Sequence, residues 1–304
     1  MQEVSVLLLT KNGRRDLERL LPALFAQKKV NSFEVIAIDS GSTDGTLELL
    51  LRFPIRLKQI PPHEFHHART RNLAASLASG RILVFLTQDA VPVSDLWLMK
   101  LISNFADPDV AAVYGRQFPK PGSSVEREDA LDTIYGDQKI VKDPSRRNEM
   151  GYRFYHFSDV NAAIRRSVWQ EERFPEDLKV FEDLGIAKHI LDRGWKIVYE
   201  PHAAVYHSHA HTTVGLFKRY FDIGYTLRLL KIWEAAGTRD SMMRDAYRLL
   251  EKKFRRARHQ TMRHSARRGL KQDIAKTFGL LLGVNETLLP LALKRRLSAY
   301  RVFE

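Results

Sequence analysis

Three short apolar runs, each ending on a polar tip, constrain this chain more than any other feature. They are Val4–Leu9 ahead of Thr10-Lys11-Asn12, Glu34–Ile38 ahead of Asp39, and Ile82–Leu86 ahead of Thr87-Gln88-Asp89-Ala90. Runs this short and this apolar are the pattern of strands covered on both faces. Between them Leu17, Leu20, Leu21, Leu24 and Phe25 recur at helical spacing, and Leu47–Leu51 and Leu73–Leu77 suggest shorter helices. Ile55–Ile60 and Val110–Tyr114 read as further strands, with a helix over Leu96–Phe105 between them. Such alternation predicts an α/β fold: a Rossmann-like, mostly parallel sheet with helices on both faces.

Sheets of that kind bind ligands beyond the C-terminal ends of their strands, which is where the polar tips fall. A carboxylate delivered there, as Asp89 is, suits a hard divalent cation such as Mg²⁺ or Mn²⁺ when paired with phosphate oxygens. The alternative is that Asp89 caps the turn before Pro92. Thr10, Asn12 and Asp39 also sit at tips, and Asp39 is placed to accept from a pyrimidine imide N–H. Ser40–Thr46, after Asp39, is a tight turn of small residues that lets a ligand approach the backbone. Arg69 and Arg71 open the next helix, where a guanidinium can meet base or phosphate; the alternative is surface charge. Gln117 ends a strand beside the same cleft, in reach of a sugar.

In the second half, Phe118–Arg153 loses periodicity among prolines and charges, and is expected to be mobile with one helix around Ala130–Tyr135. Order resumes at Phe157–Ile164, followed by a short helix, by Phe181-Glu182-Asp183 opening another, and by a strand over Lys196–Tyr199. Glu182 and Asp183 suit a helix N-terminus, where one carboxylate caps and the other points outward. Tyr206–His211 alternates three imidazoles, which either join a metal sphere through His207 and His209 or are partly buried and bonded to backbone. Leu216, Tyr220, Ile223, Leu227 and Leu230 begin a helical C-terminal extension, with breaks near Gly237, Gly283 and Pro290. Trp169 and Trp195 lie in amphipathic surroundings and are expected in the core.

The strand-tip segment Asp39-Ser40-Gly41-Ser42-Thr43-Asp44-Gly45-Thr46 resembles one that lies against the nucleotide of a sugar donor in family 2 glycosyltransferases of the GT-A fold. His67–Ala75 and Thr87–Ala90 look most like bacterial rhamnosyltransferases, and the likeness extends to about residue 230. It implies that Arg71-Asn72 matches the family's R-N pair. It also implies that Thr10, Asn12, Asp39, Ser40, Arg69, Arg71, Asn72, Gln88, Asp89 and Gln117 contact the donor. Asp89 would hold the metal with His207 or His209. Typical members carry D-x-D where this chain has Gln88-Asp89-Ala90, so fewer carboxylates serve the ion. The Glu182-Asp183 pair matches the one that supplies the catalytic base, usually the Asp, to an inverting reaction. The donor implied is dTDP-rhamnose and the acceptor a lipid-linked saccharide.

Charge is unevenly placed. The chain has a net charge of +13, yet the first 237 residues hold 32 Lys and Arg against 30 Asp and Glu, while Thr238–Glu304 holds 17 against 6. A basic tail attracts polyanions such as an anionic membrane surface. The expected division is therefore a donor-binding domain over residues 1–215 and a basic helical region over 216–304 with peripheral membrane contact. There is no cysteine, hence no disulfide or thiolate site, as suits a cytoplasmic setting. Val4–Leu9 is too short for a signal core, and no stretch reaches the roughly 20 apolar residues that span a bilayer.

Two other classes fit less well. A sugar-phosphate nucleotidyltransferase wants a glycine-rich loop after the first strand, and Lys11–Arg15 holds a single glycine. A nucleic-acid-binding protein would interleave aromatics with its basic residues, and residues 252–276 hold only Phe254.

Overall fold

The computed structural model describes residues 3–122, 136–209, 211–235, 237, 239–240, 242–244, 247, 251 and 264–304. The helix expected over Ala130–Tyr135, and Phe254 in the basic tail, lie outside the described residues. The chain divides into two compact units: Met1–Pro144, Phe157–Asp177 and Glu182–Ser208 form one, and Ser145–His156, Leu178–Phe181 and His209–Glu304 the other.

The first unit is built on one mixed sheet. Its strands are β1 Val4–Thr10, β2 Phe33–Asp39, β3 Ile55–Gln59, β4 Ile82–Thr87, β5 Val91–Pro92, β6 Val110–Phe118, β7 Ile140–Lys142, β8 Asn161–Arg165 and β9 Lys196–Tyr206. Their order is β3-β2-β1-β4-β8-β6-β9-β5, and β7 pairs with β9. Strands β3, β2, β1 and β4 run parallel; β8 lies antiparallel between β4 and β6; β9 is parallel to β6. The C-terminal ends of β1, β2, β4, β6 and β9 therefore share one edge of the sheet with the N-terminal end of β8. Helices α1 Arg14–Phe25, α2 Thr46–Leu50, α3 His67–Leu77, α4 Trp97–Ile102, α6 Arg166–Glu171 and α7 Glu182–Asp192 connect these strands.

Strand alternation sends Val4, Val6 and Leu8 to one face, where α1 buries Leu17, Leu20, Leu21 and Leu24 and α4 buries Trp97, Leu98 and Leu101. Each such leucine contributes about 1.5–3 kcal/mol of transfer free energy, which is why α1 holds although no side chain caps it and Pro22 interrupts its ladder. The opposite face carries Leu7, Ile36 and Phe85, with Phe174 edge-on to Phe85 at 5.0 Å. Trp169 is buried, as expected, and donates to the Asn72 Oδ1 at 3.1 Å, while Trp195 is half-buried. At β6 the strands approach so closely that a Cβ on Gly115 would lie 1.8 Å from the Ala203 carbonyl oxygen.

The second unit is helical. It contains α5 Arg147–Met150, α8 Thr213–Leu229, α9 His264–Val284 and α10 Leu291–Leu297. Thr212 caps α8 by accepting from the Gly215 N–H at 3.0 Å. The α8–α9 crossing is tight, because a Cβ on Gly279 would meet the Phe217 carbonyl oxygen at 2.2 Å. Buried Asp222 accepts from the Ala299 and Tyr300 N–H groups and ties the C-terminal segment to α8.

Candidate active site

Thr10, Asp39, Asp89, Gln117 and His207 lie in or just past the ends of strands that finish at one edge of the sheet. The first cluster joins the tips of β1 and β2. Asp39 is fully buried and accepts four hydrogen bonds: from the Thr10 and Ser42 hydroxyls at 2.9 and 2.5 Å, and from the Gly41 and Ser42 N–H groups at 2.9 and 2.8 Å. That fills the usual acceptor capacity of a carboxylate. Asp39 therefore shapes the turn, where the sequence suggested a base contact. Ser40 donates to the Thr10 carbonyl, and Asn12 accepts from the Thr43 N–H while its own N–H reaches Ser42. Lys11 Nζ donates to the Ser40 and Gly41 carbonyls at 2.6 and 3.0 Å. Asn12, at φ 46°, stays exposed on this rim.

Gln88 knits β4 to β1. Its Oε1 accepts from the Lys11 N–H at 2.9 Å and its Nε2 donates to the Lys11 carbonyl at 3.1 Å. With its amide so engaged, Gln88 orients the neighbouring Asp89. Asp89 is 8% exposed, with Oδ1 3.6 Å from His207 Nε2 and Oδ2 3.0 Å from Lys120 Nζ. His207 Nδ1 is 2.9 Å from Gln117 Oε1, and Gln117 Nε2 donates to the Ser158 hydroxyl at 2.9 Å. A carbonyl oxygen facing Nδ1 places a proton there, and in the neutral form of such a ring the Nε2 lone pair is turned toward Asp89. Two acceptors facing each other at that spacing suit a shared cation, since cis ligands of an octahedral ion stand about 3 Å apart. The donor set of carboxylate and imidazole fits Mn²⁺ or Mg²⁺. His209 is exposed, opens the second unit, and has its ring 6.2 Å from that of His211.

The third cluster is buried charge. Arg71, on α3, donates to Glu182 Oε1 at 2.6 Å and to Asp159 Oδ1 at 3.0 Å, with Nε 2.6 Å from Asp159 Oδ2. These side chains are only 6–8% exposed. Both Arg71 and Asn72, which the family resemblance sets against the donor, have protein partners here. Arg71 turns inward onto carboxylates, and Asn72 donates to the Phe174 carbonyl and Glu176. Arg69 differs from both, standing exposed on the first turn of α3.

Helix α7 starts at this cluster because it runs back along β9, which puts its first residues at the shared edge. Glu182 takes the Arg71 partner. Asp183 is half-buried and accepts the Leu184 N–H at 2.8 Å. Burial, then the charges of Asp159 and Glu182, push the Asp183 carboxyl well above its ordinary range. Burial likewise pushes Asp159 up to about 6, against the pull of Arg71. Phe181, just before the pair, has φ 60°, a strained backbone for a bulky residue.

Sequence reasoning missed Lys120, Ser158 and Asp159. Ser158-Asp159 joins the clusters: Ser158 reaches Gln117 and so His207, while Asp159 reaches Arg71 and so Glu182. The available signal was a polar pair at the head of a buried strand, β8, whose antiparallel course was not legible.

Comparison with known proteins agrees with this arrangement. The family model described as glycosyl transferase family 2 matches residues 5–172. The O-antigen chain rhamnosyltransferase WbaN of Salmonella anatum is 37% identical over 201 residues, which cover 65% of this chain and 64% of WbaN. RfbN of Salmonella typhimurium, an O-antigen chain rhamnosyltransferase, is 34% identical over 225 residues, covering 73% of this chain and 71% of RfbN. The chain thus spans just under two thirds of WbaN. The mannosyltransferase PcManGT from Pyrobaculum calidifontis, solved in complex with GDP-Man and Mn²⁺, has a TM-score of 0.54 at 19% identity, covering 99% of this chain and 77% of that one. At that identity the likeness speaks to fold alone. With an α/β core of GT-A type and these sequence relatives, the chain belongs to glycosyl transferase family 2 and is related to the bacterial rhamnosyltransferases.

Proposed function

We propose that this chain is an inverting rhamnosyltransferase that moves L-rhamnose from dTDP-rhamnose to a saccharide acceptor in surface polysaccharide synthesis. The observation that most favours this reading is the run of hydrogen bonds from His207, which faces Asp89 at 3.6 Å, through Gln117 and Ser158-Asp159 to Arg71 and Glu182-Asp183. It sets a candidate cation site and a candidate base in one framework. Asn12, Ser40 and the turn that buried Asp39 fixes with Thr10 form the rim for the nucleotide, and exposed Arg69 is the guanidinium available to base or phosphate. Asp89 and His207 would hold Mn²⁺ or Mg²⁺, which neutralises charge on a departing diphosphate when bound.

Asp183 accepts the proton of the acceptor hydroxyl, whose oxygen then attacks the anomeric carbon from the face opposite the leaving group. Arg71, itself held by Asp159, draws Glu182 aside, so that Asp183 is the carboxylate left for this work. Asp183→Asn tests the assignment: transfer is expected to fall at least a thousandfold while dTDP-rhamnose binding, followed by calorimetry, stays within twofold. Turnover within tenfold of wild type would refute it.

The acceptor is proposed to be lipid-linked, met at the inner face of the plasma membrane through the second unit. That unit exposes Val214, Phe278, Leu288 and Leu291. It also has an apolar groove of about 550 Å³, lined by Val214, Phe217, Ala275 and Leu293 with Lys218 and Arg296 at its sides. Apolar side chains flanked by cations suit an anionic lipid surface. Among the described residues no helix is long and apolar enough to cross a membrane. Co-sedimentation with phosphatidylglycerol vesicles is expected at low salt and reduced at high salt; absence from the pellet at both would remove this part of the proposal.

A further inference from the structure

Lys120 stands on the carboxylate that the proposed function assigns to a divalent cation. Its Nζ is 3.0 Å from Asp89 Oδ2 and 3.4 Å from Asp16 Oδ1, and its side chain is 30% exposed. Its N–H is fixed to the Ser208 hydroxyl at 3.1 Å, and Pro119 and Pro121 on either side restrict the backbone. The anchor of the side chain is therefore held, while its four-carbon stem leaves the ammonium free to swing. On the far side of the same carboxylate lies His207.

An ammonium and a divalent ion repel at such a spacing, so the two compete for Asp89. Asp89 is the lone carboxylate of its Gln-Asp-Ala segment, which makes that competition matter more here than in a site with several acids. A nucleoside diphosphate changes the balance, because its oxygens give the ammonium a new partner. Resting on the metal-assisted reading above, we propose that Lys120 is a tethered counter-cation of Asp89 that opposes the divalent ion until a donor diphosphate draws its ammonium away. Metal and donor then load together, and each raises the other's affinity by the same factor. A donorless enzyme would hold its metal weakly.

The test is Mn²⁺ binding, read from free-ion electron paramagnetic resonance, with MnCl₂ alone and with saturating dTDP. Wild type, Lys120→Met and Lys120→Gln are compared with Lys28→Met, which removes an equal charge from a surface pair with Asp95. The glutamine variant keeps a polar tip in case the methionine variant does not fold. Without nucleotide, either Lys120 variant should bind Mn²⁺ about tenfold more tightly than wild type, as removal of one partly exposed charge a few ångströms away would give. The gain in Mn²⁺ affinity on adding dTDP should shrink in the Lys120 variants and stay unchanged in Lys28→Met. Equal Mn²⁺ affinity in wild type and both Lys120 variants would overturn the inference and leave the metal reading standing. No Mn²⁺ binding by any protein, with or without dTDP, would overturn both.

Discussion

Replacing Arg71 by Met removes the buried cation that faces Asp159 and Glu182, and the loss should be large. Arg71 donates to Glu182 at 2.6 Å and to Asp159 at 3.0 Å, with all three side chains nearly closed to solvent. Breaking a buried ion pair from one side costs about 3–5 kcal/mol, because the remaining charge stays in a medium that solvates it poorly. Two carboxylates are stranded here, which places the expected loss near 5 kcal/mol, a large part of the 5–15 kcal/mol typical of a folded domain. The effect has a defined sign with pH. Asp159, already raised to about 6 by burial and by Glu182, would rise further without Arg71. Below the unfolded pKa of about 4 both states hold the proton, so a raised carboxyl brings no penalty there. Between that pH and the folded pKa the unfolded state alone gives up its proton, and stability falls. The deficit of the variant should thus be small near pH 4.5 and complete by pH 8. Urea unfolding at both pH values, followed by tryptophan fluorescence with Trp169 buried beside Asn72, measures it. A deficit under about 1 kcal/mol at pH 8, or one that grows toward acid, would refute the reasoning. Arg71→Lys, which keeps the charge without the planar fork, should fall between the two.

Two further outcomes follow from the same geometry. Gly115→Ala would drive a Cβ to 1.8 Å from the Ala203 carbonyl and 2.3 Å from Asn161 Nδ2, both in the sheet, so stability should drop by about 3 kcal/mol; a wild-type melting temperature would show that β6 and β9 can separate freely. Because burial and two neighbouring acids raise the Asp183 carboxyl, the base form is lost as pH falls through that raised value, and the acid limb of kcat/KM should lie well above pH 4. A profile flat down to pH 4.5 would exclude Asp183 as the base.

The sheet was legible where short-range pattern sufficed. Runs such as Val4–Leu9 and Ile82–Leu86 announce strands because covering both faces leaves no polar alternation, and β1 and β4 lie where those runs fall. Strand β7 escaped for the opposite reason. Ile140–Lys142 is too short for any period to show, and it is held by pairing with β9 more than fifty residues away. The course of β8 escaped as well, since an apolar run such as Ala162–Ile164 reads alike in either direction.

At the candidate site the same limit separates a residue's position from its partner. Position follows from strand ends: Asp39, Asp89, Gln117 and His207 all lie at the shared edge because the sheet delivers them there. Partners do not follow, because a charged side chain chooses among every group that the fold brings near. The sequence reads Arg71 as meeting base or phosphate, or as surface charge, and in the structure Asp159 and Glu182, 88 and 111 residues further along the chain, are its partners. Inside a protein an unpaired guanidinium is so unfavourable that burial itself selects the nearest carboxylates. Exposed Arg69, two positions earlier, is under no such demand. The difference between these two arginines is one of burial alone, and α3 sets it: Arg71 is on the inward face with Ala68 and Ala75, and Arg69 is on the outward one. A helical count from the apolar positions Ala68, Ala74 and Ala75 would have assigned Arg71 to the core, and so to a carboxylate, before any coordinates were known.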